Sequence, residues 1–258
     1  MTSWAALDAE LARWRDDGRV ATVWWRDDDA KAATPALENL LAVAARHDVG
    51  VAIAAIPASL DPSLAARLAS AGRDVVVLQH GYAHQNHAPA GEKKIELGPH
   101  RPAMPVIGEL GTGMLALSQA FGDRFLPVLV PPWNRIAPTM VPVLPEIGFR
   151  ALSASGVRKR AEPVRGFRQV NTHVDPVDWR GTRGFAGEAR ALAALTGHLA
   201  ARRAAGTGSP AVALEATGVL THHRGHGPDV WGFLDELWNR LHAHAGARIV
   251  SPREIFGP

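Results

Sequence analysis

Residues 50–56 read Gly-Val-Ala-Ile-Ala-Ala-Ile and residues 74–78 read Asp-Val-Val-Val-Leu. Neither run alternates apolar with polar residues, so neither suits a sheet with one face in water. Near-continuous apolar runs of this length fit strands covered on both faces, the situation of a parallel sheet flanked by helices. The neighbouring segments carry helix punctuation. Thr34-Pro35 and Asp61-Pro62 each pair a capping side chain with proline at the first helical position, where its missing N–H costs nothing. Gly50 and Gly72 end those helices. The same β-then-α grammar predicts strands at Val20–Trp25, Val49–Ile56, Asp74–Gln79, Leu126–Val130, Phe149–Ser153, Phe167–Thr172, Val212–Thr221 and Arg248–Val250. Seven or eight such units close most simply into a barrel, with an open doubly wound sheet as the alternative. One domain is expected over residues 1–258, with an N-terminal helix over 4–17 and the barrel over 20–256.

Composition narrows the chemistry. A chain of 258 residues, 47% hydrophobic and 21% charged, can bury a sizeable core without covalent staples. It contains no cysteine, so disulfides and thiolate metal sites are excluded and any metal must rest on His, Asp, Glu, backbone or water. The opening stretch, Met1–Gly18, mixes acids with arginines and lacks the apolar core of a secretory signal. No window approaches the roughly 20 apolar residues of a membrane span, and a cytoplasmic location is expected. The net charge is only +3, and the one basic cluster, Arg158 to Arg168, lacks the aromatic interleaving of a nucleic-acid surface.

In parallel β/α folds the site lies at the carboxyl ends of the strands, and polar residues gather there. The first strand ends in Arg26-Asp27-Asp28-Asp29, the third in His80-Gly81-Tyr82-Ala83-His84, and the fourth in Pro131-Pro132-Trp133-Asn134-Arg135. The sixth ends near His173 and Asp175, the seventh in His222-His223. Three consecutive aspartates repel one another unless a cation relieves them, the plainer reading being a solvated helix cap. His80 and His84, spaced i, i+4, place two imidazoles on one face of a helical turn, as metal ligands require. With 12 histidines, chance also supplies such pairs, and His222 with His226 is a second one. Pro131-Pro132 imposes an extended segment that presents Trp133 and its N–H to the same rim. Asp175-Pro-Val-Asp178-Trp179 reads equally as a turn whose indole is satisfied by an aspartate.

The order of these pieces is more specific than any one of them. Asp-Asp, His-x-x-x-His, Pro-Pro-aromatic, Asp-x-x-Asp-Trp and Leu-x-His, each at a strand end, resembles the polysaccharide deacetylase (NodB-homology, carbohydrate esterase 4) family from Val20 to Phe256. The resemblance implies a distorted (β/α) barrel of about seven parallel strands. It also implies a metal-dependent hydrolase of C–N amide bonds, an N-deacetylase of an acetylated sugar or related small substrate. The alternatives are a non-catalytic metal- or sugar-binding relative with a regulatory role, and a hydrolase of a non-sugar amide. By the resemblance Asp28, His80 and His84 hold a divalent metal, zinc first, with cobalt, nickel or manganese as alternatives. Asp27 is then the general base, His222 the acid that protonates the leaving amine, and Asp178 the group that orients His222. The N–H of Trp133, after Pro132, faces the oxyanion, while Trp179, Arg26, Arg135 and Asn134 flank a small-molecule or glycan substrate. No oligomeric state follows.

Two departures bear on these roles. The first motif normally reads Phe-Asp-Asp-Gly, whereas Arg26 stands at the aromatic position and Asp29 at the glycine. The register can therefore slide by one, making Asp28 the base and Asp29 the ligand. The third motif usually begins with an arginine that contacts the base, yet Val130 stands there, leaving Arg26 or Arg135 to supply the cation.

Overall fold

The computed structural model describes residues 3–205 and 208–257; residues 1, 2, 206, 207 and 258 lie outside that description. Its strands are β1 (Ala21–Ala30), β2 (Val51–Ala55), β3 (Val75–His80), β4 (Phe125–Val130), β5 (Ala151–Leu152), β6 (Arg168–Gln169), β7 (Thr217–Thr221) and β8 (Ala247–Ile249). They form one sheet in the order β6-β5-β4-β3-β2-β1-β7, every pairing parallel, with β8 beside the first residues of β1. The sheet curls into a distorted, incompletely closed barrel: the chain after β6 reaches β7 only through the parallel bridge Val174↔Val219.

The helices are α1 (Trp4–Asp16), α2 (Pro35–Arg46), α3 (Pro62–Ala69), α4 (Ala103–Phe121), α5 (Glu188–Ala205), α6 (Pro210–Ala213), α7 (Pro228–Ala243) and α8 (Pro252–Phe256). The punctuation read from the sequence sits where expected. Thr34 Oγ1 accepts from Leu37 N at 3.1 Å and Asp61 Oδ1 from Ser63 N at 2.8 Å, each before a proline at the helix start. The strand predicted over 212–221 is shorter than expected, because Pro210–Ala213 forms a helical turn and only Thr217–Thr221 pairs with β1. None of the described helices is long and apolar enough to cross a membrane.

Two apolar layers fix which way each strand residue points. Ala21, Val23 and Trp25 pack with Leu7, Leu11, Leu195, Leu237 and Trp238 between sheet and helices. Trp24 lies on the other face with Ala52, Ala54, Val76, Leu78 and Val130, inside the barrel. A strand alternates its side chains, so Arg26 and Asp28 follow Trp24 inward and Asp27 follows Trp25 outward. This alternation decides which aspartate can enter the site.

Candidate metal centre and its surroundings

Asp27 is wholly buried on the outer face of β1. Its carboxylate accepts from Thr221 Oγ1 at 2.6 Å, from the His223 backbone N–H at 2.9 Å and from His223 Nδ1 at 2.5 Å. Burial opposes ionisation of both partners. The His223 cation and these hydrogen bonds nevertheless hold the Asp27 carboxyl below its ordinary value, and the Asp27 charge raises the His223 imidazole. Asp27, expected as the general base, is therefore sealed in an internal pair and does not line the cavity described below.

Asp28 does face that cavity, but it stands in an arginine fork rather than among the histidines. Arg26 Nε donates to Asp28 Oδ1 at 2.8 Å and a terminal N–H to Oδ2 at 3.0 Å. The remaining donors of the buried guanidinium reach Ser153 O and Oγ, Ala154 O and Asn134 Oδ1. Planar bidentate contacts of this kind fix both partners. Arg26, on β1, is thus the cation paired with Asp28. Arg135, also in the cavity wall, donates to Lys94 O at 2.8 Å and makes no bond to Asp28.

Asp29 takes the place expected of Asp28. The β1–β2 register shifts between Asp27 and Ala30, and Asp29 adopts a left-handed φ of 73°. The bend breaks the alternation, so that consecutive aspartates 28 and 29 both reach the cavity. Asp29 Oδ1 lies 3.1 Å from His80 Nε2 and 3.3 Å from His84 Nε2. His80 Nδ1 donates to Val130 O at 3.0 Å, which leaves the Nε2 lone pair aimed at Asp29. A lone pair facing a carboxylate calls for a proton or a metal cation between them. Burial opposes the His80 cation, yet the charges of Asp28 and Asp29 raise its pKa; Asp29, against its own burial, is lowered by the bond to His80. His84 is lowered, by burial first and then by the charge of His80. The donor set, one carboxylate and two imidazoles with an open side, suits a divalent metal of the zinc type. The two histidines do not share a helical turn: His80 ends β3, and His84 sits in the following loop at φ 55°. The second pair at this spacing is no ligand pair, since His226 Nε2 accepts from the His222 backbone N–H at 3.0 Å.

A cavity of about 590 Å³ opens over these groups, lined by Asp28, Asp29, His80, His84, Trp133, Asn134, Arg135, His173, Asp175, Trp179 and His222 among others. The Trp133 ring lies 4.4 Å from that of His84, tilted by 55°, and at φ 54° its backbone leaves the Trp133 N–H without a carbonyl partner among the described residues, while the next two N–H groups are bonded. Pro132 is buried beside it. Trp179, half exposed at the rim, meets His222 edge-on at 4.7 Å and donates its indole N–H to Asp175 Oδ2 at 2.7 Å. Asp178, expected to orient His222, is instead bonded to Arg190 at 3.2 Å in a surface turn. Asp175, like Asp29, feels the His222 charge; burial raises its pKa all the same.

A second group of possible ligands, His173, His198 and Glu215, differs in its proton assignments. His173 Nδ1 accepts from the Gly218 N–H at 3.0 Å, so its proton lies on Nε2, 3.4 Å from Glu215 Oε2. His198 Nδ1 pairs with Thr217 Oγ1 at 2.9 Å, a hydroxyl that also accepts from Arg202. With the His173 N–H turned to Glu215 and Arg158 against the same carboxylate, this cluster is a packed polar core. Arg158 is itself buried, donating to Ala211 O and Gln169 O, so the basic cluster seen in the sequence is not one exposed patch.

Burial, with the charges of His173 and Arg202, brings His198 down to about 3, and burial likewise brings His226 to about 4. The unfolded chain, with histidine near 6.5, therefore takes up these protons first as pH falls. Their contribution to stability is complete above about pH 6.5 and is lost progressively as the pH falls, toward about 4 for His226 and about 3 for His198. Thermal melts of the wild type and His198→Asn across this window should converge as the pH drops; a constant difference between them would contradict a neutral buried His198.

No family model matches the sequence, and no curated protein matches it. Solved structures do. A peptidoglycan N-acetylglucosamine deacetylase bound to a hydroxamate-type aryl benzamide superposes with a TM-score of 0.57 at 18% identity, over 92% of this chain and 88% of that one. A Mycobacterium smegmatis protein classed with the polysaccharide deacetylases gives 0.66 at 17%, over 93% and 90%. The family 4 carbohydrate esterase of Streptomyces lividans, in complex with acetate, gives 0.58 at 15%, over 92% and 95%. Along nearly its whole length, the chain has the NodB-like barrel fold of the family 4 carbohydrate esterases.

Proposed function

We propose that the protein is a metal-dependent amide hydrolase that removes an acetyl group from an N-acetylated sugar or a similarly small amide. The observation that carries the reading is the convergence of Asp29, His80 and His84 in one cavity with a second carboxylate, Asp28, and a further imidazole, His222. Asp29 Oδ1, His80 Nε2 and His84 Nε2 would hold the divalent metal, zinc first. When bound, it would lower the pKa of a coordinated water and polarise the substrate carbonyl.

The chain's own groups divide the rest of the work. Asp28, locked by Arg26, accepts the proton of the attacking water; the fork prevents the carboxylate from swinging toward the metal ligands. The free Trp133 N–H faces the charge that develops on the carbonyl oxygen. His222, with Trp179 against its ring and Asp175 nearby, gives a proton to the leaving amine. Two indoles at the mouth suit the apolar face of a sugar ring, and a cavity of about 590 Å³ suits one or two such rings better than a long polymer.

The test is acetate release from N-acetylated amino sugars and small acetamides by zinc- or cobalt-loaded protein. His222→Ala should retain the metal and lower kcat by about 10²–10⁴-fold. A loaded wild type without turnover on any such amide would leave a binding protein on the same fold, and an unchanged kcat in His222→Ala would remove that residue from the chemistry.

A further inference from the structure

Glu96 lies in the loop between β3 and α4 and is almost completely buried. Its Oε1 accepts the Ala83 N–H at 2.7 Å and approaches that of Gln85 at 3.5 Å, while Oε2 accepts the Tyr82 N–H at 3.2 Å. These residues bracket His84. The carboxylate is therefore the hub around which the His84 loop is wound, although it touches neither imidazole. Its own backbone is tied down on both sides, by His87 N to Ile95 O at 3.0 Å and by Ala137 N to Leu97 O at 2.8 Å.

The sequence of the loop accommodates this hub. Gly81 has φ 55°, and a Cβ there would lie 2.0 Å from Glu96 Oε2 and 2.6 Å from the Pro132 ring. Only glycine leaves the space into which the carboxylate reaches. His84 is itself held at φ 55°, a conformation that a non-glycine residue keeps only when its surroundings impose it. The inward-turned N–H groups of residues 82, 83 and 85 are that imposition.

We propose that Glu96 is a positioning residue that builds the His84 arm of the metal centre, a role that rests on reading Asp29, His80 and His84 as ligands. Groups that orient ligands typically change metal affinity by about 10–100-fold when removed. The experiment is a titration of metal-free protein with Co²⁺, following the visible spectrum, on wild type, Glu96→Gln and Glu96→Asp, with thermal melts of each metal-free protein. Aspartate keeps the charge but is one methylene too short to reach the loop.

Both variants should bind Co²⁺ about 10–100-fold more weakly than wild type, with altered absorption bands. A lower melting temperature with unchanged affinity and spectrum would make Glu96 merely structural and overturn the proposal. Full affinity in Glu96→Asp with loss in Glu96→Gln would make its influence one of charge, and would also overturn it. Should Glu96→Gln fail to fold, Glu96→Asp carries the test. A wild type that takes up no Co²⁺ would instead bring down the metal reading itself.

Discussion

Asp29→Ala should emerge from purification and metal reloading without the divalent ion and without amide hydrolysis, whereas Asp28→Asn should bind the ion normally and lose turnover by about 10²–10⁴-fold. The asymmetry follows from geometry. Asp29 Oδ1 is the oxygen that stands 3.1 and 3.3 Å from the two imidazole nitrogens, while both oxygens of Asp28 are taken by Arg26. Removing Asp29 leaves two neutral donors, a much weaker set than a charged tridentate one. Replacing Asp28 by its amide keeps the shape and removes the proton acceptor. Elemental analysis beside single-turnover acetate release separates the two effects. Equal loss of metal in both variants would move Asp28 into the coordination sphere.

The neighbouring residue should respond in a different quantity. Asp27→Ala leaves the Thr221 hydroxyl, the His223 backbone N–H and the His223 imidazole without their common acceptor in a region closed to water. Breaking a buried pair from one side costs about 3–5 kcal/mol. For a chain of this size each kcal/mol lowers the melting point by about 2–4 °C, so a drop of roughly 6–20 °C is expected. Differential scanning calorimetry decides it. A change of only a degree or two would mean that the pair contributes little. Loss of metal from the molecules that remain folded would mean that Asp27 bears on the metal centre as well as on stability.

These contrasts show what was legible in the sequence and what was not. The helix caps at Thr34 and Asp61 and the strands around Val51 and Val75 could be read because their signals are local. The five polar clusters could be read because a parallel β/α fold delivers strand ends to one rim. Roles within the run of aspartates could not. Alternation in β1 separates Asp27 from Asp28 by face, but it cannot say which face is inside, and it fails at the bend that admits Asp29. Arg26 illustrates the same limit: its partner two residues on and its partners at Ser153 and Asn134 are joined only by the tertiary fold. The pairing of Asp178 with Arg190, a residue of a later helix, is likewise visible only in the fold. Glu96 gave no signal at all, because one carboxylate in a polar loop resembles any other until backbone N–H groups are seen to converge on it.

The pairing of β1 with β7 also governs the order in which the molecule can be made. Asp27 and His223 are 196 residues apart in the chain. At about 5–20 residues per second on the ribosome, the nascent Trp24-Trp25 segment and its three aspartates wait roughly 10–40 s for the strand that covers them. During that interval the apolar strand is open to chaperones and to wrong partners. Asp28 and His222 can meet only once the intervening chain has been made, whereas Asp29, His80 and His84 come from one short stretch, so the candidate metal ligands stand ready well before the candidate acid reaches them.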